Sequence, residues 1–172
     1  FLCSDFPQLR AVEDEEHYNR LFSRVTAEHL AVGEASISYM YSDVALRRIR
    51  EINAAARVIL LVRNPADLAY SWHSHSLTTL NEDQTDFEKA WTLQHERSQG
   101  RRLPPHCLEP FFLQYRQMGM LGRYLQKIYT LFPEPNVKVI FQEDMKKDVR
   151  ATYDDVLAFL ELPPCAEVNF AA

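Results

Sequence analysis

Apolar side chains recur every three or four residues along much of the chain, and this spacing places them on one face of an α-helix. The pattern predicts six helices, with polar and charged residues on the opposite faces. The predicted ranges are 14–25, 43–53, 64–80, 86–99, 112–132 and 153–160. Asn64 and Pro65 open the third helix, because asparagine caps free amides and proline suits the first helical position.

Short runs of branched apolar residues predict strands between these helices. Residues 57–62 read RVILLV and residues 137–141 read VKVIF. Residues 29–36 predict a further strand, which runs into a loop at Glu34. Because helices alternate with short buried strands, we expect an α/β fold of three layers, with helices flanking a parallel central sheet. No repeat or long linker divides the chain, so residues 1–172 are expected to form a single domain.

The composition narrows the classes of partner. A formal net charge of -5 and a pI near 5.7 argue against a nucleic-acid surface and against an anionic membrane surface. The longest apolar run, Val58–Val62, is far shorter than the roughly 20 residues that cross a bilayer. Cys3, Cys107 and Cys165 have neither the number of a disulfide framework nor the spacing of zinc ligands. We therefore expect no metal, no membrane segment and a cytoplasmic location.

Candidate chemistry is concentrated after the first predicted strand. That strand delivers Arg63 at its carboxyl end, which is where ligands bind in open α/β sheets. A guanidinium offers a planar fork to a phosphate, and the following helix N-terminus adds positive potential. Ser71 lies in the first turns of that helix, so its hydroxyl could reach the same anion. An ordinary βα turn has the same pattern, and spacing alone leaves both interpretations open.

The residues around Arg63 also carry a family resemblance. Residues 63–71, RNPADLAYS, resemble the 3'-phosphate-binding motif of PAPS-dependent sulfotransferases, especially the heparan sulfate type and its bacterial relatives. In that family the matching arginine and serine bind the donor's 3'-phosphate, which implies this role for Arg63 and Ser71. Leu68 departs from the motif, because many relatives carry a basic residue there. Residues 33–41, GEASISYMY, and residues 137–145, VKVIFQEDM, extend the resemblance over nearly all of the chain.

The resemblance implies a P-loop-like nucleotide-binding fold and a transferase. The family transfers a sulfuryl group from PAPS to a hydroxyl or amine of a small-molecule or glycan acceptor and releases adenosine 3',5'-bisphosphate. We expect a sugar-containing acceptor; a eukaryotic glycan sulfotransferase would act in the Golgi lumen. The chain contains neither the family's Lys-x-Gly-Thr loop nor the Glu or His that acts as its base. We therefore expect a partial domain without the N-terminal strand-loop and the C-terminal closing loop, inactive by itself.

The sequence leaves the catalytic residue, the acceptor and two alternative functions open. No catalytic residue is assigned, although Glu34, His17 and His73 are the candidate bases within the chain, each with an ordinary structural explanation. A P-loop nucleotide kinase would share the fold but needs a Walker loop, which the sequence lacks. A non-catalytic nucleotide-binding module is the other alternative. The acceptor and the oligomeric state are not determined by the sequence, because variable loops such as residues 100–106 select acceptors.

Overall fold

Helices surround a small parallel sheet in the computed structural model, which describes residues 1–170. The helices are α1 (Glu15–Arg20), α2 (Asp43–Ile52), α3 (Pro65–Thr78), α4 (Phe87–Thr92), α5 (Gln94–Ser98), α6 (Tyr115–Met118), α7 (Leu121–Leu131), α8 (Gln142–Lys147) and α9 (Val149–Phe159). The strands are β1 (Val58–Val62) and β2 (Val137–Phe141). Short 3-10 helices occupy Pro7–Leu9, Pro110–Leu113 and Glu134–Asn136. Within residues 1–170 no helix is long and apolar enough to span a membrane.

The two strands pair in parallel, with Leu60 opposite Val139. A parallel pair requires a crossover connection, which the segment from α3 to α7 provides. Both strands therefore end at the same edge of the sheet. The segments that begin with Arg63 and Gln142 start at this edge.

Helices pack on both faces of the sheet, although they leave Ile59 and Leu61 of β1 exposed on one face. On one face Leu60 packs in a cluster with Leu46 of α2 and Ile128 of α7. On the other face α9 lies against β2, where Lys138 and Asp155 form an ion pair of 2.5 Å. This arrangement confirms the predicted α/β class, with a parallel sheet between two layers of helices.

Helices α2 and α3 begin where the sequence predicts, because each has a side-chain cap. Ser42 Oγ accepts a hydrogen bond of 2.8 Å from the Ala45 amide. Asn64 Oδ1 accepts one of 2.9 Å from the Ala66 amide, and Pro65 occupies the first helical position. Each cap satisfies a backbone donor that the helix itself leaves without a partner. The β1–α3 connection is therefore well defined.

The predicted helix over 112–132 is wrong as a single element. The chain forms a 3-10 turn, then α6 and then α7, with non-helical ψ angles of 69° at Gln114 and 52° at Met120. Gly119 between α6 and α7 has low helix propensity. The breaks allow Phe112, Leu113, Tyr115 and Met118 all to be buried, whereas consecutive turns of one straight helix would expose some of them. The predicted helix over 86–99 is likewise divided at Leu93 into α4 and α5.

The predicted strand over 29–36 is also wrong. These residues have no regular secondary structure, and Leu30 and Val32 are exposed. A strand needs a neighbour for its backbone groups, and within residues 1–170 none pairs with this segment. The helix predicted over 14–25 ends at Arg20, and turns follow it with Leu21 exposed.

A buried ion pair joins the segments that follow α3. Glu82 and Arg97 are both almost fully buried, and the two guanidinium contacts to the carboxylate measure 2.5 Å and 2.6 Å. The Tyr115 hydroxyl donates to the same carboxylate at 2.5 Å. Charged groups are tolerated in an interior only when they are paired and hydrogen-bonded in this way. The cluster therefore links the α3–α4 loop to α5 and α6.

Candidate functional site

Arg63 is placed at the carboxyl edge of the sheet, directly after β1. It is half-buried, and its Nε is buried without a hydrogen-bond partner among the described residues. A buried donor left without a partner costs about 1–3 kcal/mol. An anion that accepts from the guanidinium would remove this cost, so the side chain is suited to bind a phosphate.

The backbone next to Arg63 is held by a carboxylate from the neighbouring strand connection. Glu143 lies at the start of α8, directly beyond β2, and its Oε1 accepts a hydrogen bond of 2.9 Å from the Asn64 amide. This bond is the first cause of the lowered pKa of Glu143, and the nearby Arg63 charge lowers it further. Glu143 therefore fixes the β1–α3 connection and lies within electrostatic reach of the guanidinium.

Ser71 lies further along α3 and is exposed. It is six residues beyond Pro65, which corresponds to about 9 Å along the helix axis. Residues four apart share a helix face, so Ser71 lies on the same face as Asp67 and His75. Arg63 and Ser71 thus belong to one β1–α3 unit, and Ser71 is accessible to a ligand.

A cavity of about 400 Å³ opens beside the second half of α3. Trp72, His75 and Ser76 of α3, with Thr79 directly after the helix, contribute to its wall. The remaining lining residues come from four other segments: Leu9, Ala35, Ser36, Ile37, Ser38, Asn81, Glu109, Phe112 and Leu113. The volume falls in the range of small-molecule sites, about 300–1,000 Å³.

Internal hydrogen bonds hold the cavity wall in place. Trp72 Nε1 donates a bond of 2.9 Å to the Phe112 carbonyl, which fixes the indole. Asn81 Oδ1 accepts from the Leu108 amide at 2.9 Å. Burial, and then the nearby Asp5 carboxylate, raise the pKa of Glu109. The cavity therefore has a preformed shape and an acidic group in its wall.

The three candidate bases are already engaged in the structure. Glu34 accepts hydrogen bonds from the hydroxyls of Tyr18 at 2.6 Å and Tyr39 at 3.2 Å. Burial and the Glu34 carboxylate together raise the pKa of both phenols. His73 is buried, with Nε2 at 2.7 Å from the Gln84 carbonyl. Neither Glu34 nor His73 lines the cavity beside α3.

His17 is exposed on α1, where its Nδ1 lies 2.5 Å from the Asp14 carboxylate. It does not line the cavity. No group of three or more potential metal ligands occurs within residues 1–170, and the three cysteines are free thiols.

Sequence reasoning missed Glu143 and Glu109. A signal for Glu143 was present, because it follows the second predicted strand at the edge where Arg63 follows the first. Glu109 carried no comparable signal, since its place in the cavity depends on the break between the 3-10 turn and α6.

Comparison with known proteins identifies the class. The sulfotransferase domain family matches residues 35–169, so the chain belongs to this family. A crystal structure of a sulfotransferase from Alicyclobacillus acidocaldarius superposes with a TM-score of 0.79 and 27% identity, covering 96% of this chain and 65% of that one. The fold is therefore that of a sulfotransferase.

Among curated proteins, the chain is similar to bifunctional heparan sulfate N-deacetylase/N-sulfotransferases. The human form 3 is 26% identical, over 95% of this chain and 20% of the relative. The bovine form 2 is also 26% identical, over 76% of this chain and 14% of the relative. The chain thus spans a fifth or less of the length of these relatives.

Proposed function

We propose that this chain forms the 3'-phosphate site and an acceptor cavity of a sulfotransferase that uses PAPS. The observation that carries the proposal is Arg63, a half-buried arginine with a buried Nε that lacks a partner in the described chain, at the ligand-binding edge of a parallel sheet. Membership of the sulfotransferase domain family supports PAPS as the donor.

In this proposal Arg63 and Ser71 bind the far end of the donor. The guanidinium fork would donate to two oxygens of the 3'-phosphate, and the Ser71 hydroxyl would add a single donor. Glu143 would keep the Asn64 amide in place and so orient the connection that carries Arg63. PAPS supplies the sulfuryl group and a phosphate leaving group.

The cavity beside α3 is the proposed acceptor site. His75 of its wall shares a helix face with Ser71, so the two sites adjoin along α3. A hydroxyl or amine of a sugar-containing acceptor would form the new bond to sulfur and release its proton as the bond to the leaving phosphate breaks. Positioning of the two reactants is the contribution that these residues would make to the rate.

A substitution at Arg63 tests the donor site. We expect Arg63→Ala to weaken binding of adenosine 3',5'-bisphosphate about tenfold or more, because a charge-assisted hydrogen bond contributes about 1.5–3 kcal/mol. Isothermal titration calorimetry would measure the change.

Arg50→Ala is the matched control, because Arg50 is an exposed arginine of α2. This helix comes before the start of β1, whereas Arg63 follows the end of β1. It removes the same charge and should leave the affinity unchanged. An equal loss in both variants would show that only the overall charge matters and would contradict the proposed site.

A further inference from the structure

The cavity beside α3 has a strongly apolar interior. Its apolar lining residues are Leu9, Ala35, Ile37, Trp72, Phe112 and Leu113. Trp72 is half-buried, and its hydrogen bond to Phe112 keeps the ring against the cavity. Such a surface favours a ligand that has an aromatic or aliphatic part.

The charges of the cavity are unfavourable for an anion. The lining, taken over residues 1–170, contains no lysine or arginine, and its titratable side chains are His75 and Glu109. Asp5 lies within electrostatic reach of Glu109. Lys127 also interacts with Asp5, but it forms an ion pair with Asp43 and does not line the cavity. An anionic ligand would therefore meet Glu109 without a compensating lysine or arginine in the wall.

The polar groups in the wall are suited to neutral hydroxyls. Ser36 is exposed, and its hydroxyl lies 2.9 Å from that of Ser38, whereas Asn81 and Thr79 are hydrogen-bonded to each other and to the backbone. Recognition of a sulfated or carboxylated glycan instead relies on clustered arginine and lysine. The lining thus differs from what a heparan sulfate chain, a polyanion, would require.

We infer that the cavity binds an uncharged acceptor with an apolar body and free hydroxyl or amine groups, such as an aryl glycoside, and not a polyanionic glycan. This inference rests on the proposed function and names the acceptor class of the same site. It would place this chain apart in acceptor choice from the heparan sulfate enzymes to which it is similar.

Calorimetric titration with two probes tests the inference. The neutral probe is 4-nitrophenyl β-glucoside and the anionic probe is a heparosan hexasaccharide, each titrated with and without adenosine 3',5'-bisphosphate. We expect the glucoside to bind with an affinity that hardly changes between low and high salt, since no ion pair forms. The hexasaccharide should bind at least tenfold more weakly. Tighter binding of the hexasaccharide, or no binding of the glucoside in either condition, would overturn the inference.

A charge placed at the rim provides a second test. Ile37 lines the cavity and is 68% exposed, so Ile37→Lys should fold normally. It should weaken glucoside binding several-fold and strengthen hexasaccharide binding in low salt. Leu30→Lys is the matched control, because Leu30 is 73% exposed and does not line the cavity. If both variants behave like the unmodified protein toward the glucoside, the probe binds elsewhere and the inference fails.

Separate binding measurements distinguish the donor site from the acceptor class. Binding of adenosine 3',5'-bisphosphate alone reports on Arg63 and the donor site. If the protein binds this nucleotide but prefers the anionic hexasaccharide, the proposed function stands and only the acceptor class is wrong. If it binds the glucoside but not the nucleotide, the cavity is a binding site but the proposed donor site is wrong.

Discussion

Arg63 has the features expected of a side chain that binds an anion. Its Nε is buried and lacks a partner in the described residues, while the neighbouring Asn64 amide is satisfied by Glu143. The backbone around the guanidinium is thus fixed, and the guanidinium retains its donors. This combination is costly unless an anion binds.

Ser71 should contribute less than Arg63 to the affinity for adenosine 3',5'-bisphosphate. Ser71→Ala removes one neutral donor, so the affinity for adenosine 3',5'-bisphosphate should fall by about 1 kcal/mol, or roughly fivefold. Ser74→Ala is the control, because Ser74 is an exposed serine of the same helix whose hydroxyl donates to the Tyr70 carbonyl. A larger loss from Ser71→Ala than from Arg63→Ala would contradict the assigned roles.

Lysine should not replace Arg63. An ammonium is a point charge without the paired donors of a guanidinium, so Arg63→Lys should retain little of the nucleotide affinity. Fluorescence or calorimetric titration would measure it. Full affinity in the lysine variant would mean that the charge alone is recognised.

At the scale of elements, the sequence predicts well what local chemistry determines and poorly what packing determines. Asn64 and Pro65 define the start of α3, and the start is where they predict it. The helix predicted over 112–132 is broken because four apolar side chains are buried in different directions. No local sequence pattern indicates this break, so the position of Glu109 and the cavity wall beside the break could not be predicted.

Substitutions at Asn64, the cap of α3, distinguish effects on stability from effects on nucleotide binding. Asn64→Ala should lower the free energy of unfolding by about 1 kcal/mol, because the Ala66 amide loses its acceptor. Asn64→Asp keeps an equally good cap but places a negative charge next to Arg63, so stability should be retained while affinity for adenosine 3',5'-bisphosphate falls. Urea denaturation and calorimetry would measure the two quantities. An aspartate variant as unstable as the alanine variant would contradict the role of the cap.

At the scale of the whole molecule, the sheet and its two helical layers were predictable because the runs in β1 and β2 are short and branched. The buried ion pair of Glu82 and Arg97 could not be predicted, because sequence periodicity does not indicate which two charged residues pair in the interior. Burial raises the pKa of Glu82, but hydrogen bonds from Arg97 and Tyr115 outweigh it and leave this pKa lowered.

The lowered pKa of Glu82 predicts a dependence of stability on pH. In the unfolded chain the Glu82 carboxyl has its usual pKa of about 4.3, whereas the folded carboxyl binds a proton only at lower pH. The ion pair therefore contributes fully to the free energy of unfolding above that pKa. It is lost as the pH falls through the folded pKa. Glu82→Gln should cost about 3 kcal/mol or more at neutral pH, because Arg97 is left buried without its counter-charge.

The difference between Glu82→Gln and the unmodified protein should narrow in acid, as measured by chemical denaturation across pH. Glu88→Gln, at an exposed position of α4, is the control and should unfold like the unmodified protein at every pH. A Glu82→Gln variant with unchanged stability at neutral pH would show that the ion pair does not stabilise the fold.

The central claim is that Arg63 and Ser71 recognise a 3'-phosphate, and the most direct measurement compares two nucleotides that differ only in that group. Calorimetric titration of the protein with adenosine 3',5'-bisphosphate and with adenosine 5'-phosphate should give at least about tenfold tighter binding of the bisphosphate, since charge-assisted contacts contribute about 1.5–3 kcal/mol. Arg63→Ala should remove most of this preference. Equal affinities for the two nucleotides would contradict the account.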